Sequence, residues 1–379
     1  MDFGFTEEQA KFRQEVSDFC KTERGDATSF RQKIAEKGWT GLSIPKEYGG
    51  QGRGAIYRVI FMEEMAYHRA PIVPYDYGVT MSLLGNMLLR HGNEEQKKEY
   101  LPQVARGEIF CGQGYTEPQA GNDLASIQSR AVRQGDHYII NGQKIWVHDA
   151  RTYNYTLLMA RTDPDSLPEK GISLFILDNA TPGITIVPQR AMNEQMTPQV
   201  FLDDVTVPIQ NLLGEENRGW GYFLENKPFY WNKEQGAEVG QMRRIFEDVV
   251  QYTKETKREG CLLSQSPVVR QKLAKMATDI NVIRFLVYRM AWMETKELDL
   301  FRIASITRVF HVEAWVKFIS TAMQLLGLGG QLQPGPEYAP LRGMMEWIYR
   351  YAALQLMQRS GPSYIKSVIA THELGLPEF

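Results

Sequence analysis

Apolar residues near the N-terminus recur at helical spacing, at Phe5, Phe12, Val16 and Phe19, and Thr6 with Gln9 forms the capping-box pattern that opens such a helix. Pro45, Gly49 and Gly50 break the pattern within WTGLSIPKEYGGQG (39–52), which reads as a loop of defined turns. Helical periodicity resumes over 57–70 and again over 81–91. Asn93 followed by Gln96 starts a further helix that runs to about residue 106.

Beyond residue 110 the pattern shortens. Strand-like runs occur at 136–140, 143–148, 156–161, 172–177, 184–188 and 200–207, and Asn141-Gly142 between the first two reads as a hairpin turn. Short strands at this spacing predict a small β-barrel or sandwich between helical regions. After residue 221 the segments are long and helical. Val268, Val269, Leu273, Met276, Ile280, Ile283, Leu286, Val287 and Met290 mark one helix, and Ile303, Ile306, Phe310, Trp315, Ile319, Met323 and Leu326 the next. Wide apolar faces of this kind pack as a bundle and allow subunit packing. The predicted domains are an N-terminal α-helical domain (1–109), a middle β domain (110–221) and a C-terminal four-helix bundle (222–379).

Charge and cysteine content narrow the function. Lys+Arg of 43 against Asp+Glu of 45 gives a net charge of -2 without a polybasic block, so no nucleic-acid-binding surface is expected. Cys20, Cys111 and Cys261 are far apart, with neither metal-ligand nor redox spacing. The start MDFGFTEEQ carries acids where a signal peptide carries cations, and no run of about eighteen apolar residues follows, so the expectation is a cytoplasmic chain without membrane insertion.

The most telling stretch is YTEPQAGNDLAS (115–126), followed by INGQKIWVHDA (140–150). It resembles the flavin-binding signature of the acyl-CoA dehydrogenase family. The similarity extends through PKEYGGQG (45–52), EEQKKEYLP (94–102), VFLDDVTVP (200–208), NLLGEENRGW (211–220), QLLGLGG (324–330) and LGLP (374–377). It implies FAD as cofactor, α,β-desaturation of an acyl-CoA as the reaction, and an electron-transfer flavoprotein as acceptor. The segment from Ser360 to Pro377 is similar to the branch acting on bulky steroid, cyclic or aromatic acyl-CoA thioesters. Members of that branch include α2β2 heterotetramers of two related chains, so the resemblance implies a homo- or heterotetramer with a paralogue.

Residue by residue, the resemblance implies flavin contact by the Thr116 hydroxyl and by the backbone at Tyr115. Gly121 allows close approach of the backbone to the flavin. Asn122 stands where relatives have a serine touching flavin and acyl-CoA, and its amide also donates and accepts. Trp146 matches the tryptophan that covers the flavin. Gln324 matches a residue that contacts the partner's adenosine portion, and Gly327, in the same QLLGLGG run, is expected among the cofactor-binding residues.

Several positions depart from the family. His148 replaces a threonine or serine near flavin N5, where an imidazole could tune the flavin, act as acid or base, or block the site. Ser360, before Gly361 and Pro362, replaces the usual catalytic glutamate. Relatives lacking that residue use a glutamate on the first bundle helix; one register places it at Asn232, two residues short of Glu234, the candidate base. In YTKETKREG (252–260), Thr256 and Glu259 replace the arginine and phenylalanine lent to a neighbour's flavin, while Arg258 offers a compensating cation. Two other readings stay open: a non-catalytic subunit paired with an active paralogue, and a flavin oxidase or monooxygenase on the same fold.

Overall fold

The structure, a computed structural model, describes residues 4–23, 26–71, 78–147, 153–232, 235–335, 337–357 and 361–377. In chain order, α1 (Glu7–Thr22), α2 (Ala27–Glu36) and α3 (Ala55–Tyr67) come first. A π-helical turn (Met81–Gly85) then leads into α4 (Asn86–His91), and α5 (Glu94–Ala105) follows. The strands are β1 (Cys111–Gly114), β2 (Arg130–Gln134), β3 (His137–Lys144), β4 (Tyr155–Arg161), β5 (Ile172–Asp178), β6 (Ile184–Val187), β7 (Gln199–Pro208) and β8 (Leu212–Leu213). Then come α6 (Gly219–Asn232), α7 (Gln235–Glu255), the hairpin β9 (Lys257–Arg258) and β10 (Cys261–Leu262), and α8 (Pro267–Thr295), α9 (Phe301–Leu326), α10 (Met344–Gln355) and α11 (Pro362–Val368).

The two capping boxes form as expected. The Gln9 amide donates to Thr6 Oγ1 and the Thr6 amide to Gln9 Oε1, and Asn93 and Gln96 repeat the exchange at α5. Between 41 and 53 the backbone closes on itself, with the Gly52 amide donating to the Ile44 carbonyl and the Arg53 amide to Leu42. A Cβ on Gly50 would stand 2.1 Å from the Ile44 carbonyl oxygen, which explains a glycine there.

The chain packs as two compact units, one of residues 1–24, 55–71 and 234–379, the other of 25–54 and 72–233. The first is helical. Its core joins Val239, Met242 and Val249 of α7, Ile283 and Val287 of α8, Trp315 and Phe318 of α9, and Ile348 of α10. Helix α3 lies directly on α7. A Cβ on Gly240 would fall 2.0 Å from the Glu63 carbonyl oxygen, and one on Gly236 3.2 Å from that of Val59, so these glycines set the approach of the two backbones.

The second unit is built on an eight-stranded sheet ordered β6-β7-β3-β2-β4-β5-β8, with β1 pairing β4 in parallel. Its core is Tyr138, Ile140, Leu158, Ala160, Phe175, Leu177, Val205 and Val207. One sequence expectation is corrected here: Asn141-Gly142 is not a hairpin turn. β3 runs through it, and the register against β7 shifts between Ile140 and Gly142 as a bulge. The Asn141 side chain exchanges bonds with Asp204 at 2.9 and 2.8 Å, and a Cβ on Gly142 would meet Ser129 Oγ at 2.2 Å. The glycine therefore admits a neighbour's side chain. The hairpin instead joins β2 to β3, Gln134 pairing with His137.

Candidate functional site

The sheet unit assembles the flavin-signature residues around one turn. From β1 the chain enters Tyr115, which is 1% exposed and meets the Phe223 ring edge-on at 5.5 Å. Pro118 and Gln119 make the corner, closed by the Glu117 amide donating to the Ala120 carbonyl at 3.0 Å and the return bond at 3.1 Å. The Glu117 carboxylate, 2% exposed, accepts from Lys144 Nζ at 2.6 Å, the Ser129 and Gln128 amides at 2.9 and 2.7 Å, and Gln119 Nε2 at 2.7 Å. Lys144 also donates to the Tyr115 carbonyl at 3.2 Å, and the Ile145 amide to Thr116 O at 2.9 Å. Burial pushes the Glu117 carboxyl up, but Lys144 and these amides outweigh it and hold it below the ordinary glutamate range. A buried, fully bonded ion pair thus locks the turn to the end of β3.

What the lock presents is open. Thr116 is half-buried and Gly121 and Asn122 are exposed. The Thr116 amide and hydroxyl, the Gly121 amide and the Asn122 side chain have no hydrogen-bond partner among the described residues. A Cβ on Gly121 would touch nothing within 4 Å. Beside them Trp146 has φ +58 and is 51% exposed, while its neighbour Val147 is buried and its amide reaches the Pro198 carbonyl at 3.3 Å. A left-handed backbone at a tryptophan costs about 1–2 kcal/mol, and here it turns a large ring out of the core. Free donors, a clear approach at a glycine and an outward indole are what a flat, polar-edged ring system such as flavin requires, so the residues fit the cofactor.

Helix α6 backs this turn. Asn226, 2% exposed, donates to the Ser82 carbonyl of the π-helical turn at 2.8 Å and accepts from Asn86. Lys227, 6% exposed, holds its ammonium 5.1 Å from the Phe223 ring, and burial pulls its pKa down to about 8. Neither Lys227 nor the Glu117–Lys144 pair was among the expected site residues. Lys144 carried a signal, since the two-residue period that buries Tyr138 and Ile140 also points Lys144 inward, where a cation needs an acid. Of the expected catalytic residues, His148 and Glu234 lie outside the described residues, as does Ser360.

Gln324 and Gly327 lie in the helical unit, at the C-terminal end of α9. They line a groove of about 760 Å³ with Met323, Leu328, Tyr349 and Arg350. Gln324 Oε1 accepts from Lys272 Nζ at 2.7 Å, and Gly327 ends the helix at φ +64. Arg258 is at hand: it donates to the Leu325 carbonyl at 3.4 Å, and a Cβ on Gly327 would stand 3.0 Å from its Nη2. Glu259 and Gly260, both at positive φ, form the tight turn between β9 and β10.

Three family descriptions match in order: acyl-CoA dehydrogenase N-terminal domain over 6–108, middle domain over 112–205 and C-terminal domain over 217–357. Acyl-CoA dehydrogenase FadE26 of Mycobacterium tuberculosis is 32% identical across all of this chain and 99% of its own. The chain belongs to the acyl-CoA dehydrogenase family. Membership of this flavoprotein family makes it an oxidoreductase with FAD as cofactor. Among solved structures, the Tcur3481-Tcur3483 steroid ACAD is 29% identical with a TM-score of 0.89, and the ChsE4-ChsE5 complex from Mycobacterium tuberculosis 30% with 0.88, each over the full length of both chains. No helix among the described residues is long and apolar enough to cross a membrane.

Proposed function

We propose that this chain is a cytosolic acyl-CoA dehydrogenase subunit for a bulky or cyclic acyl thioester, assembled with a paralogous chain and reoxidised by an electron-transfer flavoprotein. The observation that carries the reading is an asymmetry. The face that would hold the chain's own flavin ring is mostly kept, departing at Asn122 and His148, whereas Thr256 and Glu259 stand where relatives lend a cation and an aromatic ring to a neighbour's flavin. A sister chain can supply what this one needs while requiring nothing from those two positions. The likeness to the Tcur3481-Tcur3483 steroid ACAD supports the acyl class, and the likeness to that protein and to the ChsE4-ChsE5 complex supports a second chain.

When bound, FAD would supply the acceptor for a hydride leaving the β-carbon of the acyl group. The Thr116 hydroxyl and amide and the Gly121 amide would hold the ring edge, Trp146 would cover it, Asn122 would serve both ring and thioester, Gln324 would reach the partner's cofactor, and Gly327 would belong to the cofactor-binding set. Glu234 takes the α-proton in place of the carboxylate missing at Ser360, and His148, which replaces the family's threonine or serine, is a second candidate acid or base. The test is anaerobic mixing of the co-purified pair with acyl-CoA substrates. A cyclic or steroid acyl-CoA should bleach the flavin at least about tenfold faster than butyryl-CoA, a discrimination of the size apolar pockets provide. Bleaching that persists undiminished in Glu234→Gln would remove Glu234 as base and favour a non-catalytic subunit beside an active paralogue, and no bleaching by any acyl-CoA would contradict dehydrogenation by the pair.

A further inference from the structure

The helical unit contains a second polar cavity, remote in sequence from the flavin signature. Glu63 and Glu64, on α3, are 1% and 4% exposed. Glu63 accepts from Arg284 Nε at 2.8 Å, from Arg243 Nη1 at 2.5 Å and from the Tyr288 hydroxyl at 2.7 Å, and Glu64 from Arg13 Nε at 2.7 Å. Burial pushes the Glu63 carboxyl up, but Arg284, Arg243 and Tyr288 override it and keep it ionised. Stacking fixes the arginines further: Arg13 and Arg284 sit over Phe5 at 5.7 and 5.8 Å, and Arg243 over Tyr67 at 4.8 Å.

Each guanidinium therefore spends one nitrogen on a buried carboxylate. The remaining nitrogens of Arg13, Arg243 and Arg284 have no hydrogen-bond partner among the described residues. All three arginines line one cavity of about 240 Å³, together with Asn281, Ala277 and Glu247. They remain 30%, 24% and 23% exposed, so the unspent donors are within reach of a ligand. Glu63, Glu64 and the lining Glu247, which also accepts from the Tyr67 hydroxyl at 2.6 Å, balance the three arginines in charge, so what the cavity offers an anion is its set of unspent guanidinium donors.

We propose that this cavity binds a phosphate group. A carboxylate offers two oxygens, whereas a tetrahedral phosphate offers three or four and a charge near two, which matches three guanidinium forks oriented in advance by Glu63 and Glu64. The volume holds an inorganic phosphate or diphosphate; a nucleoside would have to extend outside it.

Calorimetric titration of the full-length chain with inorganic phosphate, and with acetate at matched ionic strength, tests this. Phosphate should bind saturably and acetate should not. Arg13→Gln, which keeps an amide donor for Glu64, should weaken phosphate at least about tenfold, the scale of one charged hydrogen bond. Ala277→Phe fills the cavity without touching the ion pairs and should abolish binding, with an unchanged unfolding transition showing that the fold is intact. No saturable phosphate binding, equal binding of acetate, or undiminished binding in Ala277→Phe would overturn the proposal.

Discussion

Replacing Glu117 with glutamine is expected to destabilise the sheet unit by about 3–5 kcal/mol, the cost of leaving a buried charge without its counter-ion. Lys144 is 0% exposed and has Glu117 as its ion-pair partner at 2.6 Å, so the substitution strands an ammonium inside the protein. Glutamine keeps the side chain's size and one of its two acceptor oxygens: the Ser129 amide bonds to Oε1 and the Gln128 amide to Oε2, so the substitution removes the charge together with one acceptor. Urea unfolding of wild type, E117Q, K144M and the double variant closes a cycle. Removing both charges should recover most of the loss, since an apolar replacement of a buried pair is often neutral. The pH dependence has a definite sign. The folded-state carboxyl of Glu117 titrates below its unfolded value of about 4.3, so its contribution is full above that pH and is lost as pH falls through the lower folded value. The gap between wild type and E117Q should therefore be open at neutral pH and close in acid. A gap that is constant with pH would mean that the pair is not what locks the turn.

Gly240→Ala is expected to cost about 3 kcal/mol, the upper end of the usual penalty for overpacking. The added methyl would stand 2.0 Å from the Glu63 carbonyl oxygen, a backbone atom with no rotamer to escape into, so α3 and α7 must separate. Separation also loosens the carboxylate that orients Arg243 and Arg284. Gly221→Ala, on α6 where a Cβ meets nothing within 4 Å, is the control and should cost far less. Equal transitions for the two variants in chemical unfolding would contradict the close helix crossing.

Much of this was legible in the chain, and the failures have physical causes. The capping boxes at Thr6 and Asn93 and the long helices α8 and α9 follow from local rules, because cap chemistry and a 3.6-residue apolar period need no knowledge of distant residues. β1 and β2 were missed: CGQG is four residues long and weakly apolar, and RAVRQ buries only Ala131. Both are strands because β4 and β3 pair with them. Asn141-Gly142 satisfies the turn rule but sits opposite Asp204 and under Ser129, where a bulge is required. The flavin-signature residues were found by resemblance, yet what holds them, Glu117 on Lys144, joins positions 27 apart in sequence and is visible only once strand register is known.

The turn from Tyr115 to Asn122, with Trp146, is proposed to hold a flavin on this chain. Its most direct test is the flavin content of the purified chain, alone and with its paralogue, beside that of Gly121→Val. The valine side chain enters space that the protein leaves clear, so the variant should fold as wild type does. About one flavin per chain is expected in wild type, and loss of at least about tenfold in affinity in Gly121→Val because the ring's approach is blocked. A colourless wild type in both preparations, or a Gly121→Val variant that retains its full flavin, would contradict it.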